Sequence, residues 1–338
     1  MSQTATGTNT MTNSNPSATP ASAANSERPY VWVNGSLVPK NQATISVWDH
    51  GLLYGDGVFE GIRVYKGRIF LCQQHMDRLW WCAEQIRLKI NISQDDMVRI
   101  MRTCIEANEI TDGYIRLLVT RGVGTLGLNP FLCLTPGIIC IADQIRLFPK
   151  ELYDSGMKVV VAERPKTPVA CLDPRIKSLN YLNNIMAKVE AIHLSQALGI
   201  TEAKDKLLEV IMLNTEGKVT EGSGDNIFFV KGGKLYTPPS EVGILEGITR
   251  RFVRNELCPM LGYQCAEREF AIGELLGADE VFLTGTAAEI IAVREVLEHD
   301  GKGHITKTHR ISDGEGPITH ALRKKFRQIA TSDAVPED

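Results

Sequence analysis

Alternating apolar and polar residues open the folded part of the chain and predict a β-hairpin. Residues 30–39, YVWVNGSLVP, alternate on both sides of an Asn-Gly pair, which favours a two-residue turn between antiparallel strands. Similar patterns continue along the first half and predict, in order, strands at 58–65 and 68–71, helices at 75–86 and 93–108, and strands at 114–120 and 138–145. Ser93 is a suitable N-cap for the second of these helices.

The second half of the chain combines a long helix with many short strands. Residues 179–198 show the longest helical pattern, whose apolar stripe consists of Leu182, Ile185, Met186, Val189 and Ile192. Strands are predicted at 158–163, 209–214, 226–230, 234–236 and 280–284, and a further helix at 249–261. Because strands and helices do not alternate regularly, we expect an α+β fold. We expect a smaller N-terminal domain at 29–149 and a larger domain at 150–338.

Length and charge exclude several classes of protein. The chain has 338 residues, enough for about two domains, and is 43% hydrophobic and 23% charged, as is usual for a globular protein. Its net charge of −3 provides no basic surface for nucleic acid. No apolar run approaches the roughly 20 residues that span a bilayer, so we expect no membrane partner. Residues 1–28, of which the first 26 carry no charge, are expected to form a disordered tail.

The eight cysteines argue against a metal centre and against a disulfide framework. None of them forms a C-x-x-C pair, and most lie in apolar surroundings such as residues 138–141, where a reduced cysteine acts as a small hydrophobic residue. We therefore expect no bound metal and a reducing, cytoplasmic location.

A glycine-rich segment at 122–127, GVGTLG, matches the G-x-G-x-x-G pattern of dinucleotide-binding loops. That function also requires a helix to begin at the last glycines. The residues that follow, LNPFLCLTP at 128–136, cannot form such a helix. We interpret the glycines as a flexible loop beside a pocket.

Three other stretches could carry chemistry. Lys177 lies between a proline turn and the start of the long predicted helix, where a positive charge is unfavourable. It is therefore either a solvated side chain or a residue held there for chemistry. Residues 245–250 lead into a helix, and residues 282–289 end a strand in a Gly/Thr turn. Both stretches offer free backbone amides to an anion such as a phosphate.

Taken together, these stretches belong to a set of motifs that resembles a known family. The motifs are YGDGVFEGIR at 54–63, HMDRL at 75–79, IKSLNYLNN at 176–184, TEGSGDNIFFV at 220–230, GITR at 247–250 and TGTAAEI at 284–290. In this order they resemble the class IV aminotransferases, the pyridoxal-phosphate enzymes of fold type IV, over about residues 29–330. With YIRLLVTRGVGTLGLNP at 114–130, the chain is most similar to the branched-chain amino-acid aminotransferases. The resemblance also implies a barrel-like β core in the larger domain.

The resemblance implies that pyridoxal 5'-phosphate is the cofactor and assigns residues to it. Lys177 would form the Schiff base with the cofactor aldehyde and shuttle the proton between the substrate Cα and the cofactor C4′, which requires a neutral amine. Glu221 would face the pyridine nitrogen and stabilise its protonated form. Tyr181 would reach the phenolic oxygen, although many branched-chain enzymes place this tyrosine five residues after the lysine rather than four. The cofactor phosphate would be held by Arg78, Ile248, Thr249 and Thr286.

The resemblance also implies a reaction and its substrates. Amino groups would pass between L-leucine, L-isoleucine or L-valine and 2-oxoglutarate, in a pocket lined by Tyr54, Phe59, Tyr114 and Arg116. Arg116 would pair with the γ-carboxylate of glutamate. The α-carboxylate would be bound by the backbone amides of Thr286 and Ala287 and by the Tyr114 hydroxyl. Because the family is usually at least dimeric, with pockets near the subunit interface, a homodimer or a higher homo-oligomer is expected.

Three alternatives remain open from the sequence. A D-amino-acid aminotransferase would share the cofactor motifs. Arg121 fits either branch: an arginine in this strand binds the α-carboxylate in the D-amino-acid branch, but thermostable-type branched-chain enzymes also carry the TRG motif. An aminodeoxychorismate lyase would catalyse a different reaction on the same fold. A binding or scaffold protein without activity is the third alternative. His50 is expected to tie down a loop rather than to transfer protons.

Overall fold

Two β-sheets flanked by helices make up the part of the protein that the computed structural model describes, residues 28–145 and 148–332. The tail expected at 1–28 lies outside the described residues, apart from Arg28. Within the described ranges, no helix is long and apolar enough to cross a bilayer. The expected α+β arrangement is confirmed.

The first sheet contains six antiparallel strands in the order β2-β1-β6-β5-β3-β4. Its elements and the helices between them are β1 (Tyr30–Val33), β2 (Ser36–Pro39), α1 (His50–Tyr54), β3 (Gly57–Tyr65), β4 (Arg68–Ile69), α2 (Cys72–Gln85), α3 (Gln94–Ala107), β5 (Gly113–Thr120) and β6 (Gly137–Asp143). The predicted hairpin is confirmed, because β1 and β2 pair across Asn34 and Gly35. Both turn residues have positive φ, 48° and 97°, a conformation that Asn and Gly tolerate better than other residues.

Helices α2 and α3 pack against one face of this sheet and leave the other face for a site. Met76 and Leu79 of α2 and Met101 of α3 are fully buried in one core with Ile115 and Leu117 of β5. As predicted, Ser93 caps α3, where it forms a reciprocal capping box with Asp96. Side chains alternate along a strand, so the intervening residues of β3 and β5 point away from this core.

The second sheet contains eight strands and is formed by the second half of the chain. Its elements are α4 (Glu151–Ser155), β7 (Met157–Val161), α5 (Leu182–Ala197), β8 (Glu209–Ile211), β9 (Asn226–Lys231), β10 (Lys234–Thr237), α6 (Ile248–Phe252), α7 (Cys258–Met260), β11 (Cys265–Glu267), α8 (Ile272–Leu276), β12 (Glu280–Gly285), β13 (Glu289–His299), β14 (Ile305–Arg310) and α9 (Pro317–Ala330). The strand order is β11-β10-β9-β12-β13-β7-β8, and β14 pairs with β13. Leu213, which follows the edge strand β8, forms an isolated bridge with Val219. Lys218 forms another with Ala271, which follows the opposite edge strand β11, so the segments after the two edge strands are connected.

The two sheets come from separate parts of the chain. Strands of the first sheet lie between residues 30 and 143, and strands of the second lie between residues 157 and 310. This separation supports a division close to residues 149 and 150, which we propose as the domain boundary. Phe148 packs in the core of the second sheet.

The long predicted helix is present as α5, but its apolar stripe faces outward. Leu182, Ile185, Met186, Val189 and Ile192 are all exposed, whereas small residues such as Ala187 and Ala191 bury the opposite face. The predicted helix at 249–261 is also present, as α6 and α7 joined by a π-helical turn at Val253–Leu257.

Candidate active site

A cavity of about 250 Å³ contains most of the residues that the sequence singled out. Both halves of the chain contribute to it: β3 and β5 on one side, and the loops around the second sheet on the other. Its lining includes Phe59, Arg78, Tyr114, Arg116, Lys177, Tyr181, Ile248, Thr249, Thr286 and Ala287. The structure thus brings together ten of the expected site residues, while Tyr54 and Glu221 are not part of this lining.

Lys177 is held in the cavity by its own backbone. Its carbonyl accepts a hydrogen bond from the Phe59 N–H at 3.0 Å, and its N–H donates to the Cys82 Sγ at 3.2 Å. The proline turn therefore pins the lysine between β3 and α2. Its Nζ donates to the Tyr181 hydroxyl at 3.1 Å and lies 4.6 Å from the centre of the Phe59 ring.

The environment of Lys177 shifts its side chain toward the neutral amine. Burial lowers the pKa of its ammonium group to about 8, and the positive charge of Arg78 contributes to the same shift. A pKa of about 8 leaves roughly a tenth of the amines neutral at pH 7, against fewer than about one in a thousand for an ordinary lysine. No carboxylate among the described residues forms a salt bridge with this Nζ, so a nucleophilic amine is available.

Arg78 is fixed by a carboxylate that we did not single out in the sequence, Glu60. Its Nε and one terminal nitrogen donate to the two Glu60 oxygens at 2.7 Å each, and its other terminal nitrogen donates to the Glu246 carbonyl at 2.9 Å. Two of the five guanidinium N–H donors remain for a ligand. Glu60 also contacts the His75 Nδ1 at 2.8 Å. Burial would raise the pKa of the Glu60 carboxyl, but Arg78 and His75 lower it well below its usual range, so it stays ionised.

Glu221 lies next to the cavity and is already paired by a residue that we did not predict, Lys166. The Lys166 Nζ is 2.6 Å from the Glu221 Oε1, and the lysine side chain is only 4% exposed. The Glu221 Oε2 accepts hydrogen bonds from the Asn226 side chain at 3.1 Å and from the Leu245 N–H at 3.0 Å. No local pattern in the sequence marks Lys166, because its importance comes only from this contact. Burial raises the pKa of the nearby Tyr181 to about 12, and Glu221 adds to that shift.

Two groups at one end of the cavity have unused hydrogen-bonding capacity. Ile248 and Thr249 begin the helical run formed by α6 and α7, where backbone N–H groups lack partners within the helix. Across from them, Thr284 lies just before Thr286 and Ala287, and its buried Oγ1 has no hydrogen-bond partner. A buried polar atom without a partner indicates a place for a bound polar group.

Aromatic side chains and one arginine form the opposite wall. The Arg116 guanidinium lies 4.8 Å from the centre of the Phe59 ring and 5.5 Å from that of Tyr114. Alternation along β5 places Tyr114 and Arg116 on the same face, as predicted. Burial raises the pKa of the Tyr114 hydroxyl, so this group remains a neutral hydrogen-bond donor.

Tyr54 does not reach the cavity within a single chain. It ends α1 immediately before Gly55, which has a left-handed φ of 69°, and its hydroxyl donates to the Leu126 carbonyl. Its side chain is therefore directed to the glycine-rich loop and is partly exposed. A role in the pocket stays a prediction that needs a second copy of the chain.

Two residues near the glycine-rich loop have structural contacts. His50 is buried and its Nε2 lies 2.6 Å from the Thr125 carbonyl, which ties down the loop as expected. Arg121 is also buried, and it donates to both Asp56 oxygens and to the carbonyls of Ile86 and Arg87. Arg121 is therefore engaged outside the cavity. A 3₁₀ turn at Pro130–Leu132 follows the loop, in place of the helix that a dinucleotide site would need.

A second cavity, of about 560 Å³, lies beside the first sheet. The described residues that line it include Trp32, Asp49 and Leu134 but no lysine, arginine, histidine or cysteine. It therefore offers less chemistry than the cavity around Lys177. The described residues also contain no cluster of histidine, cysteine and carboxylate side chains that could hold a metal ion.

The sequence matches one family model over most of its length. The model is that of amino-transferase class IV, and residues 57–296 match it. Methanocaldococcus jannaschii has a relative named "Putative branched-chain-amino-acid aminotransferase", 41% identical over 89% of this chain and 96% of the relative. The D-alanine aminotransferase of Staphylococcus aureus is 32% identical over 90% of this chain and 99% of that protein.

The fold is similar to that of a solved branched-chain enzyme. The branched-chain amino acid aminotransferase from Escherichia coli superimposes with a TM-score of 0.76 at 31% identity, over 91% of this chain and 97% of that chain. These matches confirm the expected resemblance to the branched-chain enzymes and the expected fold type IV. The chain belongs to the class IV aminotransferases, and its cofactor is pyridoxal 5'-phosphate.

Proposed function

We propose that this enzyme transfers amino groups between branched-chain L-amino acids and 2-oxoglutarate, with Lys177 as the lysine that carries the cofactor. The observation that supports this most directly is one cavity in which a partly buried amine without a carboxylate partner among the described residues faces an aromatic wall and a cation, Arg116. An apolar substrate and an acidic one must use that wall in turn.

The residues of the cavity fit the cofactor. Arg78 and the amides at the start of α6 suit a phosphate, and the unpartnered Thr284 Oγ1 shows unused polar capacity beside Thr286. Glu221 suits the pyridine nitrogen, because a buried carboxylate favours a protonated ring. When bound, the cofactor supplies an electron sink that acidifies the Cα–H of the attached amino acid.

The protein then has to position and move protons. The Lys177 Nζ, once free, is the group that would take the proton from the substrate Cα and deliver it to the cofactor carbon C4′, which requires a pKa near the working pH. The Tyr181 hydroxyl accepts a hydrogen bond from this Nζ and so fixes the direction in which the amine points. Glu60 holds Arg78 in place, so that the arginine's remaining donors stay directed at the ligand.

Substrate choice follows from the aromatic wall. Phe59 and Tyr114 offer apolar surface to the side chains of leucine, isoleucine and valine. Arg116 stacks on both rings and has no carboxylate partner among the described residues, so it can pair with the distal carboxylate of glutamate. The Tyr114 hydroxyl and the backbone amides of Thr286 and Ala287 would bind the α-carboxylate.

Exposed apolar residues support an oligomer. A single chain leaves large apolar side chains in contact with water around α1 and the glycine-rich loop and along α5. They include Val47, Trp48, Leu52, Leu126, Leu128, Phe131, Leu134, Leu182 and Ile185. Clusters of this kind mark interaction surfaces. We therefore propose a homodimer or higher homo-oligomer that covers them, which sedimentation velocity would test. The cytoplasmic location stays a prediction.

An amino-donor panel with 2-oxoglutarate tests the proposed reaction. We expect turnover of L-leucine, L-isoleucine or L-valine. The position of Arg121 argues against a D-amino-acid enzyme, because its donors are used by Asp56 and backbone carbonyls. Activity on D-alanine alone would overturn the proposal, as would release of pyruvate from aminodeoxychorismate without an amino acceptor. A protein that stays colourless with pyridoxal phosphate would instead favour a binding function.

A further inference from the structure

An acidic side chain, Asp225, lines the cavity without a partner. It follows Gly224 in the turn between Glu221 and β9, and it is only 5% exposed. None of the hydrogen bonds among the described residues goes to its carboxyl oxygens, although its backbone carbonyl accepts one from Gly222. A buried carboxyl group without a partner is costly unless a ligand completes its hydrogen bonding.

The carboxyl group of Asp225 lies against the turn that is expected to bind an anion. A Cβ added to Gly285 would lie 2.0 Å from the Asp225 Oδ1, so only glycine allows this approach. Gly285 immediately precedes Thr286 and Ala287, which line the same cavity. The unpartnered Thr284 Oγ1 lies on the other side of Gly285 in the chain. An acidic group and an anion site therefore share this end of the cavity.

The surrounding charges do not neutralise Asp225. Glu209 of β8 forms a salt bridge with Lys188, whose Nζ lies 2.8 Å from the Glu209 Oε2, and it also accepts a hydrogen bond from the Ser223 N–H. The other titratable groups that act on the carboxyl are Glu221, Lys177 and, from α4, the Tyr153 hydroxyl. Burial raises the pKa of Asp225 to about 7, and the negative charge of Glu209 contributes. The group can therefore be protonated near neutral pH.

We propose that Asp225 is a positioning residue that donates a hydrogen bond, in its protonated form, to an anionic group of the ligand at the turn formed by residues 284–287. The anion is either the α-carboxylate of the amino or oxo acid or the phosphate of the cofactor, and both present acceptor oxygens. An ionised Asp225 would repel either anion, whereas the acid attracts it. Binding of the anion is therefore coupled to uptake of one proton above neutral pH. This proposal rests on the proposed function and names a further residue of the same site.

The experiment has two arms, one for each candidate anion. The carboxylate arm tests the α-carboxylate and uses 4-methylpentanoate, which is leucine without its amino group and cannot react. Its Kd for the holoenzyme is measured by calorimetry at pH 6.5 and 8.5, in buffers of different ionisation enthalpy so that proton uptake is counted. A group with a pKa near 7 that must be protonated weakens binding by up to about 25-fold over this interval. Asp225→Asn keeps a neutral amide at the position, so its Kd should lack this factor and the variant should bind more tightly than wild type at pH 8.5.

The phosphate arm uses the apoenzyme, titrated with pyridoxal 5'-phosphate and with pyridoxal, which lacks the phosphate. If the phosphate is the anion, the pH dependence and its loss in Asp225→Asn appear with the phosphorylated compound only. Asp313→Asn makes the same chemical change at an exposed residue and should match wild type in both arms. Ratios between variant and wild type remove the contributions of Lys177 and other groups that titrate in the same range.

Proton uptake in either arm that Asp225→Asn abolishes would support the proposal and identify the anion. Equal pH dependence in wild type and Asp225→Asn in both arms would overturn it. If that variant does not fold, infrared difference spectra of the wild type at pH 8 decide: a gain of protonated carboxyl absorption on ligand binding supports the proposal, and no gain overturns it. Failure here would leave leucine transamination intact, whereas failure of the proposed function would show first in the amino-donor panel.

Discussion

Two lysines eleven residues apart, the buried Lys166 and the partly buried Lys177, lie in opposite electrostatic environments. Lys166 forms an ion pair with Glu221 at 2.6 Å, and the pair is almost completely buried. Lys177 has no carboxylate partner among the described residues and donates only to the Tyr181 hydroxyl. Burial and the charge of Arg78 lower its pKa to about 8. The lysine with a counter-ion is engaged in an ion pair within the fold, whereas the lysine without one can become a nucleophile.

The comparison shows that burial alone does not identify the catalytic lysine. Lys166 is the more deeply buried of the two, and the two lysines differ in their partners: Lys166 pairs with a carboxylate, whereas Lys177 does not. Glu60, a carboxylate whose charge acts on Lys177, is engaged by Arg78 and His75. The negative charge of Glu60 raises the pKa of Lys177, but burial and the Arg78 cation that Glu60 holds in place outweigh it. Each prediction below tests one part of this contrast.

Lys177→Ala should have the largest effect, because no other group can replace an amine that both attaches the cofactor and moves the Cα proton. We expect the turnover of L-leucine with 2-oxoglutarate to fall by at least about 10⁴-fold. Lys231→Ala, which removes an exposed lysine, is the matched control and should be unaffected. Wild-type turnover in Lys177→Ala would show that Lys177 is not the catalytic lysine.

Glu221→Gln should separate the structural role of the Lys166 pair from its catalytic role. The variant leaves the Lys166 ammonium buried without a counter-ion, which costs about 3–5 kcal/mol of stability. Turnover should fall by about 10²- to 10³-fold, because a neutral amide cannot stabilise a protonated pyridine ring.

Adding Lys166→Met to Glu221→Gln removes the unpaired charge. Urea unfolding should then show most of the lost stability regained, while turnover stays low. If the double variant regained turnover as well, Glu221 would serve the fold alone and would not be the partner of the ring nitrogen.

The sequence predicted the fold and most residues of the cavity, but not the residues that form ion pairs with them. The Asn34-Gly35 hairpin and the Ser93 cap were predictable because turns and caps depend on a few adjacent residues. Lys177 and Arg78 were predictable because they lie in motifs with fixed spacing. Lys166 could not be predicted, because its contact with Glu221 joins residues 55 positions apart in a geometry that only the folded chain sets.

Surface and core were harder to distinguish than helix and strand. The apolar stripe of α5, which includes Leu182 and Ile185, is exposed in a single chain. A periodic pattern identifies an apolar face but does not tell whether that face packs against the same chain or another one. Tyr54 raises a related question, because its predicted role in the pocket needs a second copy of the chain.

Arg116→Met extends the contrast between paired and unpaired cations, because it removes a cation that has no carboxylate partner among the described residues. A charge-assisted bond to the distal carboxylate contributes about 1.5–3 kcal/mol, so binding of 2-oxoglutarate and glutamate should weaken about 10- to 150-fold. The half-reaction with leucine should be nearly unchanged. Stopped-flow measurement of the two half-reactions tests this, with the exposed Arg99→Met as control. Equal losses with both donors would assign Arg116 to the α-carboxylate or to the fold.

Arg121→Met should have the smallest catalytic effect, because Arg121 resembles Lys166: its charge is used by a neighbour. The change leaves Asp56 and two backbone carbonyls without donors, and since Asp56 is partly exposed we expect a loss of about 1–3 kcal/mol in stability. The KM for leucine should stay within about twofold. A large rise in KM with unchanged stability would instead mean that Arg121 binds the α-carboxylate.

Reductive trapping of the cofactor on the wild-type protein tests the central claim most directly. The apoenzyme is incubated with pyridoxal phosphate at a series of pH values and treated with borohydride, and the modified lysine is identified by peptide mass spectrometry. We predict modification of Lys177, with a half-maximal rate near pH 8, rather than near the value of about 10.4 for an ordinary lysine. Modification of Lys166 or Lys188, or a midpoint near pH 10, would contradict the account.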